Sequence, residues 1–131
     1  MFEYSFERLD VYKASLQFSV DLRDVLKTFP EAEKFDLVRQ IKRSADSISS
    51  CLAEGSGRST RKDQAYFTNV AYASALETVS HLNVAFKLEY VDIDTLTILR
   101  KSLSRITFQL NKLYQYQIRA SDNLRDNINK S

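Results

Sequence analysis

The side chains that could perform catalysis are few in this chain and form no recognised set. Glu54 and Glu77 are the one pair of carboxylates suggestive of acid–base chemistry, and neither a nucleophile nor a pocket motif accompanies them. His81 is the single histidine and Cys51 the single cysteine, and neither has a second histidine or cysteine at metal-ligand spacing. The sequence therefore predicts a protein that is not an enzyme, with no catalytic residue, metal, cofactor or small-molecule substrate.

The same residues have structural interpretations. His81 lies on one stripe of the third predicted helix, where we expect a hydrogen-bonded packing histidine. Cys51 follows the apolar seam of the second predicted helix, which predicts buried and unreactive packing. The segment Gly55-Ser56-Gly57 is too short for a phosphate-binding loop and lacks the Lys-Ser/Thr that follows such a loop.

Cations in the fourth predicted helix suggest a different chemistry, the binding of anions. Four cations and one aromatic residue fall within about 60° of one another on a helical wheel. They lie roughly opposite the leucine seam of this helix, which comprises Leu96, Leu99, Leu103, Ile106, Leu110 and Leu113. Cations interleaved with an aromatic ring suit phosphates and an exposed base, so this set predicts a nucleic-acid-binding surface. The alternative is an ordinary solvated face with one exposed phenylalanine. The set comprises Lys101, Arg105, Phe108, Lys112 and Arg119.

A second basic cluster lies between residues 39 and 62, where six Lys and Arg residues accompany two acidic ones. Three of them stand at the start of the third predicted helix, where the helix dipole also favours anions. We expect these three to contribute to nucleic-acid binding, the alternative being ordinary surface charge. The cluster comprises Arg39, Lys42, Arg43, Arg58, Arg61 and Lys62, of which the last three are the predicted site residues.

A polar set on the second and third predicted helices has a structural interpretation. If these helices form a hairpin about Gly57, Gln40 and Arg43 face Ser74 and Glu77. A buried ion pair between Arg43 and Glu77 would then fix the register of the two helices. The alternative is that this polar network is a functional site.

The elements that position these residues are four helices. Two glycines and one proline in 131 residues favour long helices with few loops. The second helix has the spacing Val38, Ile41, Ala45, Ile48, Leu52, a clean packing seam. We expect helices from about Leu9 to Phe29, from about Lys34 or Asp36 to Glu54, and from just after Ser59 or Thr60 to about Glu89. The fourth is expected to be capped by Asp92 or Asp94 and to extend to about Ser121.

These helices with short connections predict an all-α, antiparallel up-down-up-down four-helix bundle. The bundle domain is expected to span residues 1–121, followed by a polar C-terminal tail, residues 122–131. The third helix is rich in alanine and serine, so it can approach its neighbours closely, and we expect it to be central.

Charge and composition limit the classes of partner that can be expected. The net charge is only +2, but residues 1–38 have a net charge of −3 and residues 39–62 one of +4. This distribution permits an anionic partner without requiring one. No apolar stretch of about 18 residues exists, so no membrane partner is expected. A lone cysteine gives no sign of an oxidising compartment, and a cytoplasmic location is expected.

Several motifs occur in a fixed order and spacing over about residues 6–90. They comprise Phe6-Glu7-Arg8-Leu9-Asp10-Val11-Tyr12; Phe29-Pro30, Glu33, Leu37 and Gln40-Ile41-Lys42-Arg43-Ser44 with Ser47-Ile48; Leu52-Ala53-Glu54-Gly55-Ser56-Gly57-Arg58; and Ala71, Ser74 and Glu77.

Together these motifs resemble those of the bacterial 23S rRNA intervening-sequence proteins. The resemblance implies a four-helix bundle that is usually a homopentamer, and some members are encoded inside insertions in the large-subunit rRNA gene. The family also resembles accessory proteins of diversity-generating retroelements, which are basic pentamers that bind nucleic acid and a reverse transcriptase. Two positions depart from the pattern: Cys51 replaces a usual asparagine, and Gln64 a common aromatic residue. The resemblance implies no agreed molecular activity.

Two functions remain open from the sequence. The first is a homo-oligomer, expected to be a pentamer, that binds RNA. The second is an oligomeric scaffold or adaptor whose partner is another protein. The two basic segments favour the first, and the near-neutral total charge favours the second, because nucleic-acid-binding domains are usually more basic.

Overall fold

The computed structural model describes the backbone of residues 1–130 and the side chains of residues 1–120. Four helices form an antiparallel up-down-up-down bundle, which confirms the predicted fold class. Short 3₁₀ turns at Ser5–Arg8 and Glu31–Glu33 precede the first and second helices. The helices are α1 (Asp10–Leu26), α2 (Leu37–Ser56), α3 (Arg61–Lys87) and α4 (Ile93–Lys130).

The ends of the helices follow local rules. The Thr60 hydroxyl accepts a hydrogen bond from the Asp63 amide at 3.1 Å and so caps α3. The Asp92 carboxylate accepts one from the Thr95 amide at 2.7 Å, which lowers the pKa of Asp92 and caps α4. The backbone of α4 continues as a helix to Lys130, so the end that we expected near Ser121 is wrong. The side chains of the predicted polar tail, residues 122–131, lie outside those that the structure describes.

The core lies along the bundle axis and uses the predicted seams. Ile41 and Ile48 of α2 and Leu103 and Leu110 of α4 are fully buried. Within the described residues, α1 and α3 each pack against α2 and α4 but not against each other, so they occupy opposite corners. The two most extensive contacts between helices are those of α3 with α2 and with α4, which agrees with the expectation that α3 approaches its neighbours closely. Its small residues are used in this packing: Ala65, Ala71, Ala75 and Ala85 are buried.

A bidentate ion pair joins α1 to α2. The two terminal guanidinium nitrogens of Arg23 donate to the two carboxylate oxygens of Asp46 at 3.0 and 2.6 Å. These hydrogen bonds lower the pKa of Asp46 below its ordinary value. Sequence reasoning did not identify this pair, because the two residues lie on different helices and neither has a distinctive sequence neighbourhood.

The C-terminus of α3 ends in a Schellman motif with a residue that is unusual there. The Tyr90 amide donates to the Ala85 carbonyl at 2.9 Å, and the Glu89 amide to the Phe86 carbonyl at 3.0 Å. This geometry requires a positive φ at Glu89, which has φ 63°. A side chain in that conformation is strained, and glycine is the residue usually found there.

Replacing Glu89 by glycine is therefore expected to stabilise the protein. Glycine removes the steric cost of the left-handed conformation, and the net gain should be about 0.5–1 kcal/mol after the larger entropy of the unfolded chain is counted. Thermal unfolding should show a rise of about 2–4 °C in melting temperature. The same change at Lys87, inside α3, should destabilise instead.

Candidate nucleic-acid interface

The outer face of α4 brings the five predicted residues together in solvent. Lys101, Arg105, Lys112 and Arg119 are exposed, and the Phe108 side chain is 61% exposed. This face points away from the buried seam residues of the same helix, such as Leu103 and Leu110. Between residues 95 and 120 the helix contains five Lys and Arg residues and no Asp or Glu. Over these residues α4 itself therefore supplies only positive charge to this face.

The aromatic residue of this face has a cation beside it. The Lys112 ammonium lies 4.7 Å from the centroid of the Phe108 ring, one helical turn along α4. A nucleotide stacked on Phe108 would thus have a positive charge within reach of its phosphate. A shallow groove beside this pair is also lined by Leu9 and Asp10, at the N-terminus of α1.

The predicted cations at the start of α3 have different surroundings. The Arg58 guanidinium donates to Glu54 at 3.1 Å and lies 4.5 Å from the centroid of the Phe67 ring. Because it already interacts with these two groups, it is less available to bind a phosphate. Lys62 is exposed. The Thr60 cap already occupies the Asp63 amide, and Asp63 itself adds a negative charge to the first turn. The helix end is therefore a weaker anion site than the sequence indicated.

Arg61 connects the two basic sets. Its guanidinium lies 5.6 Å from the centroid of the Tyr116 ring on α4 and donates to Gln64 at 3.1 Å. Tyr116 is 58% exposed and stands between Lys112 and Arg119, one turn from each. The sequence analysis does not include Tyr116 in the site, since the helical wheel of α4 alone does not show Arg61.

The polar set Gln40, Arg43 and Glu77 is brought together, but not as predicted. These three side chains line one cleft between α2 and α3, with a volume of about 450 Å³. All three are exposed, so the predicted burial is wrong. Among the described side chains, Glu77 pairs with His81 at 3.3 Å rather than with Arg43.

The buried contacts of this region are made by hydroxyl groups. Ser74 lies 3.0 Å from Ser47, oxygen to oxygen, and Thr78 donates to Ser44 at 2.8 Å. These bonds join α3 to α2, and they supply the register-fixing role that had been assigned to the ion pair. The hydrogen bond of His81 to Glu77 agrees with a packing histidine, and Cys51 is buried.

The comparisons with known proteins decide the family. The family model described as "23S rRNA-intervening sequence protein" matches residues 7–112. The chain belongs to that family. A solved structure is similar in fold, with a TM-score of 0.74 and 25% identity over 80% of this chain and 95% of that chain. It is described as a protein of unknown function from the S23 ribosomal protein family of Bacteroides thetaiotaomicron. No curated protein matches the chain.

The described residues of this intervening-sequence protein form neither a metal site nor a membrane span. Across the described side chains, no three His, Cys, Asp or Glu residues cluster so as to hold a metal ion. In the part of the chain that the structure describes, none of the helices is both long and apolar enough to span a bilayer.

The exposed position of Glu77 changes what its removal should do. Because its carboxylate is solvated and its contact with His81 is one turn away on the same helix, Glu77→Ala should change the free energy of unfolding by no more than about 0.5 kcal/mol. A chemical denaturation curve measures this. The comparison variant Asp46→Ala breaks the bidentate pair with Arg23 and should cost more, about 0.5–1 kcal/mol. A decrease of several kcal/mol in the free energy of unfolding of Glu77→Ala would contradict the exposed position and would support the buried ion pair predicted from the sequence.

Proposed function

We propose that this 23S rRNA-intervening sequence family member is a non-enzymatic homo-oligomer that binds single-stranded RNA along the outer face of α4 and acts in the cytoplasm. The observation that carries the proposal is the exposed, acid-free run of cations on α4 with Phe108 among them. Phosphate contacts from such a run position a strand without reading its sequence. The ligand is therefore expected to be sequence-tolerant.

The apolar surface of the subunit supports self-association. Leu16 and Val20 are exposed on α1, Leu76 and Val84 on α3, and Leu88 directly after α3. Because α1 and α3 occupy opposite corners, these residues form two separate apolar faces. Two different faces that pair with each other make a heterologous contact, which closes into a ring when the rotation allows it. A ring built this way leaves α4 free to bind RNA, and five subunits is the number that the resemblance implies.

Light scattering tests the assembly. The wild type at micromolar concentration should have about five times the subunit mass. Val84→Asp should dissociate it, because a carboxylate would be buried at the contact. The neighbouring exposed residue supplies the control, Asn83→Asp, which should leave the mass unchanged. A wild type that stays monomeric would refute the oligomer.

A salt titration tests RNA binding. If Lys101, Arg105, Lys112 and Arg119 each contact one phosphate, the logarithm of the affinity should fall with the logarithm of the salt concentration at a slope near −3 per engaged subunit, from about −0.7 per contact. Fluorescence anisotropy with a labelled uridine oligonucleotide, between about 50 and 200 mM salt, measures the slope. Absence of binding at the low-salt end would remove the proposal.

A protein-binding scaffold is the second candidate. The exposed apolar residues of α3 favour it, because contiguous apolar surface commonly marks protein contacts. In that case the oligomer would form as proposed, the salt titration would detect no RNA complex, and the small net charge of +2 would be sufficient for solubility alone.

A further inference from the structure

A cavity of about 270 Å³ opens at the end of the bundle where α2 meets α3. Its volume equals the liquid share of about nine waters and lies near the lower limit for small-ligand pockets. It therefore has room for one planar heterocycle. Leu52 and Leu113 supply apolar lining, and Phe6 of the N-terminal turn supplies an aromatic edge. None of the lining residues is Asp or Glu.

A buried amide side chain, that of Gln117, lines this cavity. Gln117 is only 8% exposed. Its Oε1 accepts a hydrogen bond from the Thr68 hydroxyl at 2.8 Å. Gln117 Nε2 is not one of the enclosed polar atoms without a partner, which among the described side chains are Ser19 Oγ and Gln109 Oε1. Because Gln117 lines the cavity, its amide group is placed to hydrogen bond to a ligand there.

The mouth of the cavity has the chemistry of a nucleotide site. Tyr116 lines it and presents an exposed ring, with the Arg61 guanidinium 5.6 Å from the ring centroid. Lys112 and Arg119 stand one turn to either side of Tyr116 on α4, and both are exposed. Cations on both sides of an aromatic ring match the two phosphates that flank one base.

We propose that this cavity receives one unpaired base of the single-stranded RNA that lies along α4. Tyr116 stacks on the base or closes over it, Gln117 hydrogen bonds to its edge, and Lys112 and Arg119 contact the flanking phosphates. The inference rests on the proposed RNA binding by α4 and adds a base-binding subsite to it. A planar side chain of a partner protein would lack those phosphates and would leave both cations without a ligand.

The first experiment separates the base from the backbone. Affinity is measured by anisotropy for a uridine oligonucleotide and for an abasic RNA of equal length, with wild type and Gln117→Met. Wild type should prefer the RNA with bases. The affinity of Gln117→Met for that RNA should be about 5-fold lower than that of wild type, which corresponds to one hydrogen bond. Its affinity for the abasic RNA should be unchanged. Thr68 keeps the Gln64 carbonyl as its partner in this variant, so the fold should persist, as its melting temperature would show.

Gln17→Met is the matched control, because Gln17 is an exposed glutamine on α1 that does not line the cavity. It should bind both RNAs as wild type does. If Gln117→Met also behaves like wild type on both RNAs, the base-binding cavity is refuted while binding along α4 stands. If wild type binds neither RNA, the proposed function fails, and the next experiment decides the cavity by itself.

The second experiment needs no RNA strand. Each of the four ribonucleoside 5′-monophosphates is titrated into the wild-type protein, and the side-chain amide signals of Gln117 and Gln17 are followed by NMR. The Gln117 signals should shift saturably with at least one nucleotide, and those of Gln17 should not move. No saturable shift of Gln117 with any of the four, up to about 20 mM, overturns the inference whatever the RNA experiment shows.

Discussion

Replacing Gly55 by alanine is expected to lower the free energy of unfolding by about 1–2 kcal/mol. Gly55 lies inside α2, where alanine would normally be preferred by about 0.5–1 kcal/mol. Here a Cβ atom would lie 2.9 Å from the Phe67 Cβ and 3.5 Å from the Gln64 carbonyl oxygen of α3. Because the Phe67 Cβ is fixed to its backbone, α2 and α3 must move apart, and such overpacking costs about 1–3 kcal/mol.

The other glycine of the chain is the control. Gly57 has φ −85°, which alanine adopts without strain, and its added Cβ would meet only the Glu54 carbonyl oxygen at 3.4 Å. Gly57→Ala should therefore be neutral or slightly stabilising. Urea denaturation of both variants measures the difference. If Gly55→Ala is as stable as Gly57→Ala, the close approach of α2 to α3 at this point is not real.

The fold was predictable because its signals are local. Apolar spacing on α2 and α4 identifies the buried faces, and few glycines and one proline leave room for only a few breaks. The helix ends moved by a few residues: α1 ends at Leu26 and α2 begins at Leu37. The segment between them contains Phe29-Pro30, and a 3₁₀ turn at Glu31–Glu33 directly follows the proline.

Pairings between helices were less predictable, because a charged side chain can choose among several partners or water. The register of α2 against α3 that the sequence predicts places Arg43 opposite Glu77, and in the structure both residues line one cleft. Glu77 nonetheless pairs with His81, four residues away, since a partner in the next turn requires less side-chain ordering than one across a solvated cleft. Gln40 likewise donates to Asp36 at 2.8 Å on its own side of the cleft.

The residues of the cavity were missed for a related reason. Arg61, Gln64 and Gln117 belong to two helices, and only the three-dimensional structure puts them around one space. From the sequence, Gln64 is only a departure from the family pattern, at a position where an aromatic residue is common. In the structure its amide accepts from Arg61 and donates to the Arg58 carbonyl at 3.1 Å, so it orders the α2–α3 connection beside the cavity.

Neutralising the cations of α4 is expected to have the largest effect on function. The variant replaces Lys101, Arg105, Lys112 and Arg119 by glutamine. At 0.1 M salt, four lost phosphate contacts should lower the RNA affinity by about 100- to 1000-fold per engaged subunit. The loss should be the same for all sequences, because phosphate contacts carry no sequence information. Anisotropy with several unrelated RNA oligonucleotides measures both the loss and its uniformity.

A second set of exposed lysines controls for total charge. Lys13, Lys27, Lys34 and Lys87 lie outside α4, and changing them to glutamine removes the same four charges. This control should lose far less affinity, because exposed charges more than about 8–10 Å from the strand are largely screened. Equal losses in the two variants would mean that only the net charge matters and that α4 contains no RNA-binding surface.

Phe108 decides between the two uses of the α4 face. If a base stacks on its ring, Phe108→Ala should weaken RNA binding by about 1–3 kcal/mol and leave the sedimentation coefficient of the oligomer unchanged. If Phe108 instead fills a contact between subunits, Phe108→Ala should dissociate the oligomer. The variant with the four α4 cations changed to glutamine should then have the RNA affinity and the sedimentation coefficient of wild type. Because Phe108 is exposed in the single subunit, its removal should not affect the fold. A lower melting temperature with the oligomer intact would therefore contradict both uses.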